Sequence, residues 1–86
     1  MFVKEKITSG YEVIHPTYAN PNTYAVYSGT ISVSYKGIFL QTLKLGSVFR
    51  QIDNNFLSYE ASSKEVILLK IETKKLLSYF DKENDI

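Results

Sequence analysis

Thr30-Ile31-Ser32-Val33-Ser34-Tyr35-Lys36-Gly37-Ile38-Phe39-Leu40-Gln41-Thr42-Leu43-Lys44-Leu45 carries the clearest periodicity in this chain. Ile31, Val33 and Tyr35 fall on one side of an extended backbone and Thr30, Ser32 and Ser34 on the other, the two-residue period of a half-buried strand. Lys36-Gly37 interrupts the run and Ile38 to Leu45 resumes it. Phe39, Gln41, Leu43 and Leu45 then share one face and Ile38, Leu40, Thr42 and Lys44 the other, so the two halves predict a β-hairpin.

Outward from the hairpin, Gly46-Ser47 and Asp53-Asn54-Asn55 are turn signals that enclose a short strand around Val48 to Gln51. A strand from Phe56 to Ala61 follows, then a turn at Ser62-Ser63-Lys64. Glu65 to Glu72 is the most apolar segment, with Ile67, Leu69 and Ile71 on one face, assigned to the core, and Val66 and Leu68 on the other. Toward the N-terminus, strands are expected near Phe2 to Ile7, Tyr11 to His15 and Thr23 to Tyr27. Pro16 to Asn22, with two prolines and two asparagines, reads as a loop. Thr73 to Lys82 places Leu76, Leu77 and Phe80 on one helical face, which allows a short C-terminal helix. Seven or eight short strands at close spacing give an all-β domain over residues 1–82, followed by a frayed tail at residues 83–86.

Composition agrees. Val, Ile, Thr, Tyr and Phe supply 32 of the 86 residues, whereas Ala occurs three times. A chain of this size removes only about 60% of its extended surface from water on folding. With no Cys there is no disulfide or thiolate metal site to add stability, so self-association is the expected support. A net charge of +1 argues against a broad nucleic-acid footprint or an electrostatically held membrane protein. No apolar run approaches the length of a membrane-spanning helix, and charged residues occupy Met1 to Lys6. The chain reads as soluble and intracellular.

Cupin jelly rolls (double-stranded β-helices) set out a Gly, Pro, Gly, His and Asn at fixed spacing in their second motif. Gly46, Ile52, Asn54, Leu57 and Ala61 occupy that register here, so the opening Gly and a turn-compatible Asn remain. Leu57 replaces the metal-binding His. In the first motif His15, Thr17 and Asn22 stand at the ligand places before Gly29, leaving one ligand of four. A divalent metal needs at least three converging protein ligands, so neither a metal nor another cofactor is expected, and His15 is assigned a structural or exposed role.

A narrower resemblance is to the cupin domain of centromere protein C, of the inner kinetochore. It rests on Tyr24-Ala-Val-Tyr-Ser-Gly29-Thr-Ile-Ser-Val-Ser-Tyr35, then Gly46-Ser47-Val48-Phe49, Asn54-Asn55-Phe56 and the apolar strand to Ile71. Ile52-Asp53-Asn54-Asn55 departs from that family's Pro-Arg-Gly-Asn turn. The resemblance implies a non-catalytic, metal-free homodimerisation module of a centromere scaffold, located in the nucleus, with itself and other kinetochore proteins as partners. Ile38, Leu40, Val66 and Leu68 face away from the assigned core and are the expected dimer interface.

The chain also resembles a degenerate cyclic-nucleotide-binding domain, another jelly roll with a Gly-x-Val-Phe step, used for ligand or protein binding. That family's phosphate cassette needs a Gly-Glu pair for the ribose, a short helix and an Arg for the phosphate. Here Arg50-Gln51 follows Phe49, four residues separate Gln51 from Phe56, and Arg50 is the chain's one Arg. Catalysis finds no support in the spacing, since one His, no Cys and scattered acids form no recognisable constellation. The seven tyrosines lack the adjacent basic groove that base stacking requires, so direct nucleic-acid binding is not expected.

Overall fold

A computed structural model describes residues 2–52 and 56–84, with side chains as far as Phe80. The turn expected at Asp53-Asn54-Asn55 and the last two residues lie outside the described residues. Eight strands precede one helix: β1 (Val3–Thr8), β2 (Glu12–Ile14), β3 (Asn22–Ser28), β4 (Ile31–Tyr35), β5 (Ile38–Leu43), β6 (Val48–Arg50), β7 (Leu57–Ala61), β8 (Glu65–Glu72) and α1 (Thr73–Asn84). They form two antiparallel four-stranded sheets, ordered β1-β8-β3-β6 and β2-β7-β4-β5. Successive strands alternate between the sheets at every step except β4 to β5. The result is the all-β jelly roll expected from the sequence, with the short C-terminal helix extending to Asn84.

The hairpin forms as read. Lys36 and Gly37 both adopt positive φ, 48° and 81°, the conformation that lets a two-residue turn follow the twist of its strands. Ile31 and Val33 are buried between the sheets. The pairing of β4 with β5 slips between Val33 and Ser34, which pair with Gln41 and Phe39, so Leu40 has no directly opposite partner. That bulge separates Gln41 and Leu43, across from the inward Val33 and Ile31, from Phe39, across from Ser34. The single face expected for Phe39, Gln41 and Leu43 is therefore divided.

The expected faces of β8 are reversed from Val66 to Leu69, while Ile71 is buried as expected. Val66 and Leu68 are 0% exposed and lie opposite Ile7 and Val26, in the centre of the core. Ile67 and Leu69 take the outer face, half-buried opposite Lys6 and Lys4. Ile71 is buried opposite Thr23, whose hydroxyl lies 2.7 Å from that of Thr73 at the start of α1. Both faces of this strand are apolar, so period alone could not orient it, and pairing with β1 and β3 does. Val66 and Leu68 consequently form no outward dimer face.

Gly29 fixes how the β3–β4 turn meets β8. Its φ is +85°, and a Cβ there would lie 2.5 Å from the Glu65 carbonyl oxygen and 3.0 Å from the Val66 Cα. Thr30 N–H donates to Ser63 Oγ across the same contact. The Ser-Gly-Thr step is thus required by a close backbone approach.

Candidate functional site

The open end of the sandwich is built from aromatic rings. Tyr24 from β3 stacks on Phe49 from β6 at 5.3 Å between ring centroids, and Phe49 stacks on Tyr59 from β7 at 4.8 Å, with interplanar angles of 18° and 11°. The stack crosses from one sheet to the other and ends at Tyr59, beside a cleft of about 380 Å³. Val33, Leu43, Phe49 and Tyr59 line this cleft from between the sheets. Val48, Arg50 and Ile52 line it from β6 and its exit, and Leu76 and Leu77 from α1. Its volume falls in the lower part of the range for small-molecule pockets, roughly 300–1,000 Å³.

The polar groups on this cleft are few. Thr23 and Thr73 hydroxyls share one hydrogen bond. Tyr59 is buried as a residue, and burial pushes its pKa above the ordinary tyrosine value. Arg50 is exposed on β6, with no carboxylate in ion-pair distance among the described residues. Gln41 contributes an amide, and among the described residues no Asp or Glu lines the space.

Gln51 has a different task. Asn20 N–H donates to its Oε1 at 2.9 Å, and its Nε2 donates to the carbonyls of Tyr18 at 2.7 Å and His15 at 3.2 Å. Asn20 Nδ2 in turn donates to the Val13 carbonyl and to the Tyr24 hydroxyl. The side chain at the place where a nucleotide cassette would carry its ribose-binding carboxylate is an amide, and it ties down the β2–β3 loop. Nothing in the sequence indicated this role, because the loop and Gln51 lie 31 residues apart.

The other residues singled out from the sequence are dispersed. His15 Nδ1 accepts from Thr17 N–H at 3.1 Å, its Nε2 lies 3.7 Å from Glu12, and its ring packs at 4.9 Å from Tyr18. Asn22, at another of the cupin ligand places, instead has its N–H bonded to Asn20 Oδ1. Leu57 packs against the core. Of the four expected interface residues, Ile38 and Leu40 are exposed at 65% and 52% on β5, an edge strand, whereas Val66 and Leu68 are interior. The structure does not bring the four together on one surface.

Comparison with solved structures places this architecture. A cAMP-bound PfPKA-R structure superposes with a TM-score of 0.80 at 11% identity over 90% of this chain and 29% of its own. A CooA mutant from Carboxydothermus hydrogenoformans gives 0.79 at 15% identity, over 94% of this chain and 55% of its own. A cyclic nucleotide-binding-like protein from Brucella abortus gives 0.77 at 12% identity, over 93% and 76%. This chain therefore has the jelly-roll fold of cyclic-nucleotide-binding-like domains, and it spans 29% and 55% of the lengths of the first two. No family model and no curated protein matches the sequence. The neighbours agree with the cyclic-nucleotide-binding resemblance and lend no support to the centromere one.

Proposed function

We propose that the chain is a cyclic-nucleotide-binding-like jelly roll that holds a small molecule other than a cyclic nucleotide, without catalysis. The observation that carries this reading is the cleft of about 380 Å³ at the end of the aromatic stack, with Tyr59 set in an otherwise apolar wall. The solved neighbours favour the same kind of role, since one is named for its bound cAMP. Against cAMP itself stand Gln51 in place of the ribose carboxylate, with its amide already committed to the loop, and a β6–β7 connection with four residues between Gln51 and Phe56.

Amide chemical-shift mapping tests this reading. A library of small aromatic and aliphatic fragments should shift Val33, Leu43, Tyr59 and Leu77 together, and cAMP at millimolar concentration should leave them in place. Fragments that never select these residues would remove the ligand site. Tight cAMP binding would remove the claim that the nucleotide function is lost.

A second reading is self-association through β5. Ile38, Phe39 and Leu40 are consecutive, apolar and exposed on a strand with a single neighbour, and such edges invite pairing with another chain. Light scattering over about a hundredfold dilution decides it. A mass of two chains that falls to one in Ile38→Ser/Leu40→Ser supports the homodimer, and a monomer throughout excludes it.

A further inference from the structure

Resting on the reading of the cleft as a ligand site, we infer that its ligand is an apolar molecule carrying one negative charge, a hydrophobic carboxylate held by Arg50. Among the described residues the lining contains one charged side chain, the cationic Arg50, and no Asp or Glu to attract a cation or to neutralise it. Two lysines are ion-paired, Lys6 at 3.2 Å from Glu65 and Lys70 at 2.9 Å from Glu5. Arg50 has no such partner among the described residues, so its planar fork of donors remains available for a carboxylate.

The remaining walls decide the rest of the molecule. Leu43, Phe49, Leu76 and Leu77 offer apolar surface, and Tyr59 closes the aromatic stack at the cleft. A sugar needs several hydrogen-bonding groups, and here few line the cleft, the Thr23 and Thr73 hydroxyls already sharing one hydrogen bond. A doubly charged phosphate would leave much of its charge uncompensated by one guanidinium in an apolar setting. An amine would meet Arg50 as a like charge. A compact carboxylic acid matches the one cation among the described lining residues and the apolar walls at once, and the Tyr59 hydroxyl is a donor for an oxygen on the same molecule.

Three compounds with one body separate charge from shape: 4-phenylbutyrate, its primary amide, and 4-phenylbutylamine. Titrated into the labelled chain at pH 7 in about 50 mM salt, they should bind in the order acid, amide, amine. The acid should exceed the amide by about fivefold, the scale of an ion pair at a solvent-exposed side chain. Raising the salt about tenfold should weaken the acid selectively. In Arg50→Gln, an exposed position where the chain should still fold, the advantage of acid over amide should vanish. Equal binding of acid and amide to the wild-type chain overturns the charge assignment while leaving the ligand site standing. So does an advantage that survives in Arg50→Gln. If none of the three shifts Val33, Leu43, Tyr59 or Leu77, both the assignment and the ligand-site reading fall.

Discussion

β8 and β5 carry more Val, Ile, Leu and Phe than the other strands, five and four, and they have opposite fates. Val66 and Leu68 of β8 are fully buried, and Ile67 and Leu69 on its other face are half-buried opposite Lys6 and Lys4. On β5, Ile38, Phe39 and Leu40 remain exposed. The difference follows from position: β8 runs between β1 and β3, while β5 closes its sheet beside β4 alone. Apolar side chains supply the drive for burial, and the neighbours a strand acquires determine whether that drive is satisfied.

Truncation breaks or confirms this contrast most directly at Leu68. Leu68→Ala should lower unfolding free energy by about 2–5 kcal/mol, because the cavity lies among Val26, Val66 and their opposites with little room to collapse. Chemical denaturation measures it, and a loss near zero would mean that β8 is not the central strand. Gly29→Ala should cost about 2 kcal/mol or more, since the left-handed backbone and the 2.5 Å approach to the Glu65 carbonyl both oppose a Cβ. Gly37→Ala, with nothing within 4 Å, should cost less and gives the comparison its control.

A smaller effect comes from two titrating groups, one in each sheet. Lys70 has its pKa raised by its bond to the Glu5 carboxylate, and burial raises that of Tyr59. Both raised values favour the protonated form in the folded state. Their stabilisation is present below the unfolded values near 10 and is lost as pH rises through the folded ones. Thermal melts should therefore show stability falling above about pH 10, less steeply in Tyr59→Phe. The Glu5–Lys70 coupling should be under about 1 kcal/mol in a double-mutant cycle, because both side chains are one-third exposed. A pH-independent alkaline limb would contradict the burial of Tyr59.

The smallest change is expected on β5. Ile38→Ser and Leu40→Ser should each alter the stability of the monomer by less than about 0.5 kcal/mol, as exposed positions away from the core do. A larger loss that scales with protein concentration would show the edge covered by a second copy and would erase the contrast with β8.

Much of this molecule was legible in advance. The period-two pattern of Ile31, Val33 and Tyr35, the Lys36-Gly37 turn and the β-rich composition determined the hairpin and the all-β jelly roll, because alternation and turn chemistry are local properties of the backbone. Leu76, Leu77 and Phe80 indicated the terminal helix in the same way. The tertiary structure alone decided that Val66 and Leu68 point inward, that Leu40 is bulged, and that Gln51 serves a loop far behind it in the chain. It also decided that Arg50 and Tyr59 share one cleft. Those outcomes depend on which strands become neighbours, and side-chain periodicity within a strand carries no information about the strand beside it.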